Sequence, residues 1–188
     1  MATITSYLVL LRGINVGGKN KIPMAQLKAR LEDMGFQHVQ TYIQSGNVIL
    51  QSPLGADTVA RKIATKLGTK FKLDSVSIKV LALSRDRLRA VIDNKPKGFG
   101  DEPEKYHSDA IFLIGLSLDE ALTAFSPMEG VDTIWPGDGV IYSQRVSAKR
   151  TKTRLNRMMA SPLYLSMTIR SWGTTLKLMD LLEQDDAS

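Results

Sequence analysis

Val39-Gln-Thr-Tyr-Ile-Gln-Ser-Gly-Asn-Val-Ile-Leu-Gln51 holds two β-prone runs, Val39 to Gln44 and Val48 to Gln51, on either side of the turn-forming triplet Ser45-Gly46-Asn47. A hairpin here decides the fold, because two strands joined by a tight turn are antiparallel and break the strand-helix alternation of a parallel sheet. Upstream, Tyr7 to Leu11 is a short apolar run ending at Arg12 and Gly13, which predicts a buried strand. Between that strand and the hairpin, Met24, Leu27, Leu31 and Met34 recur at three-to-four spacing, with Pro23 suited to the first helical turn and Gly35 to the stop. Downstream, Val59, Ile63, Leu67 and Phe71 form the apolar face of a helix that Asp57 can cap, and Val76, Ile78 and Val80 alternate as in a half-buried strand. The order β-α-β-β-α-β is that of a ferredoxin-like sandwich, an antiparallel sheet with helices on one face and the other face available.

The second half reads in the same way with less detail. A short helix follows Ser84, carrying Leu88, Val91 and Ile92. The stretch Asn94 to Ser108 then mixes Pro96, Gly98, Gly100 and Pro103 with charges, as a long loop or linker does. Ala110 to Ile114 predicts a buried strand, and Ser117 with Glu120 a capping box for a helix carrying Leu122 and Phe125. Strands at Thr133 to Trp135 and Val140 to Ser143 meet at the turn Pro136-Gly137-Asp138-Gly139, and a last helix runs near Thr174 to Glu183. The order is β-α-β-β-α, a degenerate duplication by element order and not by sequence repeat. The expected organisation is α+β, with two ferredoxin-like subdomains at residues 1–94 and 109–188 and a linker loop at 95–108.

Charge is unevenly placed along the 188 residues, whose net charge is +6. Residues 1–31 carry five bases and no acid, and residues 139–179 carry eight bases and no acid, whereas residues 32–138 hold 12 bases against 15 acids. Were folding to join the two acid-free segments, they would form a surface attractive to phosphates or nucleic acid; kept apart, they are solvated faces. With no cysteine there is no disulfide, no secretory pattern is visible over Met1 to Tyr7, and no apolar run approaches the roughly 20 residues that span a bilayer. The expectation is a soluble cytoplasmic protein without membrane partners.

The loop Gly13-Ile-Asn-Val-Gly-Gly-Lys-Asn20 nearly satisfies the phosphate-loop pattern G-x-x-x-x-G-K-[S/T]. Asn20 fails it chemically, since an amide cannot supply the hydroxyl that ligates magnesium, and Pro23 places the helix start too far beyond Lys19. Nucleotide hydrolysis is thereby disfavoured, but a simpler anion site is not. Gly13, Gly17 and Gly18 let backbone amides turn outward, Asn15 adds a polar side chain, and Lys19 and Lys21 add charge. The second cationic set is Arg145, Lys149 and Arg150 in the basic segment 145–157, around which only Tyr142, Tyr164 and Trp172 are available for stacking. Two histidines and no cysteine make no ordinary zinc site or Cys-His pair, and Ser45 lies outside any G-x-S-x-G context. Asp101, Glu102, Glu104, His107 and Asp109 offer oxygen and nitrogen ligands, but in a Pro/Gly-rich loop they read as an exposed linker, so no metal and no cofactor is expected.

The stretch Leu10-Leu-Arg-Gly-Ile-Asn-Val-Gly-Gly-Lys-Asn-Lys-Ile-Pro-Met24, with Gly35-Phe36 and Thr41-Tyr-Ile-Gln-Ser-Gly-Asn-Val48, resembles the N-terminal signature of the bacterial family catalogued as domain of unknown function 1697. Ser161-Pro162, Met167-Thr168, Arg170 and Trp172 resemble its second block, and Gly173 stands where the resemblance implies an asparagine. The resemblance implies a two-part α+β fold and supplies no reaction, cofactor or catalytic residue. Three functional readings stay open. One is binding of a phosphate-bearing ligand or nucleic acid by loop 13–21 and segment 145–157. The second is a small-molecule enzyme with Lys19, Asn15, Tyr142 and Arg145 in a cleft between the halves. The third is a protein-interaction module.

Overall fold

The hairpin forms, and strands pair outward from it. The computed structural model describes residues 3–71, 73 and 78–186. Strand β1 (Thr5–Leu11), helix α1 (Met24–Asp33), strands β2 (Gln37–Tyr42) and β3 (Asn47–Ser52), helix α2 (Ala56–Lys70) and strand β4 (Val80–Ser84) follow in the expected order. All pairings are antiparallel and the sheet runs β2-β3-β1-β4, the ferredoxin-like order. Val76, read as part of the fourth strand, lies outside the described residues.

The turn of the hairpin begins earlier than its sequence implies. Ile43 takes φ +48 and leaves the strand, although a β-branched side chain is disfavoured in that region. Gly46 closes the turn at φ +79, and a Cβ there would lie 2.7 Å from the Leu11 carbonyl oxygen, so only glycine fits. Helix α1 stops by the expected chemistry. Gly35 adopts φ +87, its N–H donates to Glu32 and that of Phe36 to Leu31, a Schellman closure in which Phe36 and Leu31 share one core. Two details of capping differ: Pro23 precedes α1 and does not enter its first turn, and Gly55, not Asp57, occupies the cap position of α2.

Met24, Leu27 and Leu31 of α1 and Val59, Ile63 and Leu67 of α2 pack with Tyr7, Val9, Leu11, Val48 and Leu50 on one face of the sheet. The opposite face is not available as expected, since Leu8, Leu10 and Ile49 are also buried. Burial on both faces is why β1 reads as an unbroken apolar run.

Helix α3 (Arg85–Asp93), strand β5 (Tyr106–Leu113), helix α4 (Leu118–Leu122), strands β6 (Asp132–Pro136) and β7 (Val140–Val146), helix α5 (Leu155–Ala160), strand β8 (Met167–Ser171) and helix α6 (Trp172–Asp186) complete the chain. The Ser117/Glu120 capping box forms at α4 as its sequence requires. The second sheet runs β6-β7-β5-β8, so it repeats the order of the first by position. Strand β8 is absent from the sequence reading, and its pairing with β5 supplies the sixth element of the second ferredoxin-like half. Ala121, Met158, Ile111, Ile141 and Met167 form the core beneath α4 and α5.

The chain divides into two compact units, Met1–Arg89 with Lys177–Ser188, and Ala90–Leu176. The last residues thus belong with the first unit. The stretch expected as a linker is part of the second: Phe99 is fully buried and meets the rings of Trp172, Tyr142 and Trp135 edge-on, with centroids 5.0, 5.2 and 6.0 Å away. Lys95 Nζ donates to the Phe99 carbonyl at 2.9 Å and to Asp101 at 2.7 Å, which fixes the loop around the ring.

Candidate anion-binding segments

In the first unit, loop 13–22 is closed by its own asparagines. Asn15 Nδ2 donates to the carbonyls of Ile22 (2.9 Å) and Gln44 (3.0 Å), and its Oδ1 accepts from the Ile22 N–H at 2.8 Å. Buried Asn20 donates through Nδ2 to the Gly13 carbonyl at 2.9 Å. Both asparagines hold positive φ, which their side-chain hydrogen bonds to nearby backbone stabilise. Ile14 and Ile22 are buried and anchor the loop from below. At the tip, Gly17 and Gly18 at φ +58 and +76 make a tight turn closed by Lys19 N–H on the Val16 carbonyl at 3.0 Å.

Asn15 is therefore committed to building the loop. What it presents outward is the glycine turn with Lys19 and Lys21, both exposed and without an ion-pair partner among the described residues. Helix α1 starts only at Met24, so no helix end follows Lys19 directly, and the sheet is antiparallel, both unlike a nucleotide-hydrolase loop.

In the second unit, the basic segment rests on two acids that its composition does not reveal. Arg145 on β7 lies opposite His107 of β5 and Asp132 of β6. Its Nη1 donates to Asp109 Oδ2 at 2.9 Å, and His107 Nε2 lies 3.2 Å from Asp109 Oδ1. Asp109 is only 4% exposed, so Arg145 neutralises a buried carboxylate and is not a solvated cation.

Beyond β7 the chain makes a 3₁₀ turn over Ser147–Lys152 and enters α5. Asp132 holds this connection, since one oxygen accepts from the Thr153 hydroxyl at 2.5 Å while the other accepts from the N–H groups of Arg154 (2.9 Å) and Met128 (3.0 Å). Lys149 Nζ donates to the Gly130 carbonyl at 3.2 Å. Lys149, Arg150, Lys152 and Arg157 are exposed, and none has an acidic partner among the described residues. Arg154 is half-buried, with Nε lacking a hydrogen-bond partner.

Partial burial works to raise the Asp132 carboxyl pKa, but the three hydrogen bonds and the Arg145 charge outweigh it and hold the group below the ordinary aspartate range. A folded-state pKa below the unfolded value gives stabilisation that is complete above the unfolded range and is lost as pH falls through the folded pKa. Asp132→Asn is expected to cost about 1–2 kcal/mol at neutral pH, discounted for partial solvation. The variant and wild type should converge in acid. Denaturant melts at both pH values check this, and an equal difference at both would contradict the role given to Asp132.

The two cationic sets belong to different units. Tyr142, an enzyme candidate by sequence, is 1% exposed and donates to the Val91 carbonyl at 2.6 Å, with burial raising its phenol pKa, so it serves the core. Asp101 and Glu102 pair with Lys95 and Lys105, and among the described residues no His/Asp/Glu cluster could hold a metal ion. Asp109, grouped by sequence with the acids of the expected linker, and Asp132, one residue ahead of the expected strand Thr133 to Trp135, meet the basic segment only through strand register and chain reversal.

Among solved structures, the conserved bacterial protein SP0830 from Streptococcus pneumoniae is similar to this chain, with 27% identity and a TM-score of 0.81 over 96% of this chain and 99% of that one. No curated protein matches. The signature stretches quoted above, the paired ferredoxin-like sheets and a family-model match over residues 4–142 agree, and the chain belongs to the family described as Protein of unknown function (DUF1697).

Proposed function

We propose that this protein binds a phosphate-bearing ligand or nucleic acid, with segment 145–157 as the main contact and the tip of loop 13–21 as a second cationic element. The observation that carries the reading is the set Lys149, Arg150, Lys152 and Arg157, exposed, without acidic partners among the described residues, on a backbone tied down by Asp132. Cations gathered this way repel one another by about 1 kcal/mol per pair at 4 Å in water. A bound polyanion turns that cost into attraction and releases counterions. Arg145 supports the site by fixing the end of β7.

No helix among the described residues is long and apolar enough to cross a membrane. A cytoplasmic setting, where phosphate-bearing ligands abound, fits the reading and the absence of cysteine. The test is titration of the protein with tripolyphosphate and with a short single-stranded oligonucleotide at rising salt. Binding that weakens with salt supports the proposal. No binding to either, or binding indifferent to salt, rejects it.

A further inference from the structure

The basic segment leaves the second sheet beside the first residues of β5. Tyr106 and His107 lie opposite Val146 and Arg145 in register, and the Ser147 N–H donates to the Lys105 carbonyl at 2.9 Å. At this end of β5 there is a cavity of about 290 Å³ lined by Tyr106, His107, Ser108, Ser171, Trp172 and Gly173. That is the lower end of the size range for small-ligand sites.

Its polar groups are unequally occupied. Ser108 Oγ donates to Gln144 at 2.9 Å and Ser171 Oγ donates to Thr174 at 2.9 Å, so both hydroxyls have structural tasks. His107 differs. Its Nε2 lies 3.2 Å from Asp109 Oδ1, whose other oxygen is held by Arg145, and its Nδ1 has no partner among the described residues. Gly173 leaves the wall open, since nothing lies within 4 Å of where its Cβ would be. Lys105 Nζ stands 5.0 Å from the Tyr106 ring centre and adds a cation at the rim.

We infer that this cavity takes the planar ring of a nucleotide whose phosphate meets the adjacent basic segment, an assignment that rests on the phosphate-binding reading above. Tyr106 and Trp172 give the cavity aromatic walls, His107 Nδ1 offers a ring nitrogen for a hydrogen bond to a base edge, and the exposed cations Lys149 and Arg150 follow within a few residues of the end of β7. A ring without a phosphate leaves the cations unused, and a phosphate without a ring leaves the cavity unused.

Calorimetric titration of the full chain with nucleoside monophosphates, nucleosides and inorganic phosphate tests this. Wild type is expected to bind at least one nucleoside monophosphate about tenfold or more tighter than inorganic phosphate, as stacking of one base provides. Gly173→Leu fills the cavity from a position with open space and should remove that preference while inorganic phosphate binding is unchanged. His107→Ala, at a half-exposed side chain, should weaken nucleotide binding about tenfold or less, again without effect on phosphate, and serves should the leucine variant fold poorly. Equal affinity of wild type for nucleotides and inorganic phosphate overturns the cavity assignment and leaves the basic-segment reading standing. Retention of the preference by both variants does the same. Nucleoside binding that Gly173→Leu removes, with no salt-dependent gain from phosphate, overturns the basic-segment reading and reduces the cavity to a ring site.

Discussion

Phe99→Ala is expected to destabilise the second unit by about 3–5 kcal/mol, the usual cost of emptying a buried phenylalanine site. The ring is fully enclosed, and its three edge-on partners come from β6, β7 and the start of α6, so none of them closes the cavity by a simple rotation. Gly100 next to it takes φ +76, and a Cβ there would lie 2.4 Å from Trp172 Cδ1, a sign of how tightly this loop is seated. The chain's two tryptophans, Trp135 and Trp172, both touch Phe99, so their emission during denaturant unfolding reports this unit directly. A loss under about 1 kcal/mol, the range of ordinary surface changes, would show that Phe99 lies in a solvated linker, as the composition of residues 95–108 suggests.

Replacing Lys149, Arg150, Lys152 and Arg157 together by glutamine is expected to weaken oligonucleotide binding about a hundredfold or more at low salt, because four lost phosphate contacts remove a single-strand salt slope of about 2.8. These side chains are exposed, so the fold should keep its stability within about 0.5 kcal/mol for each change. Arg145 is a poorer choice for such a test despite its place in the same segment. Its removal strands Asp109, a buried carboxylate, and any loss of binding would be confounded with loss of folding. Likewise Asn15→Ala would open loop 13–22 and not remove a ligand contact. Full binding by the quadruple variant, with its fold intact, would assign the segment to solubility alone.

Much of the fold was legible because its signals are local. The Ser45-Gly46-Asn47 turn, the apolar run of β1, the periodic faces of α1 and α2 and the Ser117/Glu120 box each act within a few residues. Strand β8 escaped although Met167, Thr168, Ile169 and Arg170 alternate, because a run of five residues is too short for that period to stand out; it is a strand by virtue of pairing with β5, more than fifty residues earlier. Phe99 escaped for a similar reason: one aromatic among prolines, glycines and charges has no period to reveal it, and its burial depends on rings from distant strands.

The candidate site divides in the same way. Cations are countable in a sequence, so Lys19, Lys149 and Arg150 could be named as candidates directly, and all three are exposed. Their surroundings are not countable. Arg145 turned inward, Asn15 became a loop brace and Asp132 became the anchor of the basic segment through hydrogen bonds that only strand register and chain reversal create. His107 moved from an expected linker to the wall of a cavity because β5 begins at Tyr106, four residues before its apolar run.

The most direct test of phosphate recognition by the basic segment is the dependence of oligonucleotide affinity on salt, measured for wild type and the quadruple glutamine variant side by side. The logarithm of wild-type affinity should fall linearly with the logarithm of salt concentration, with a slope of about 2–3 in magnitude. The variant should lose almost all of that slope. A flat wild-type line, or two lines of equal slope, would contradict binding through this segment.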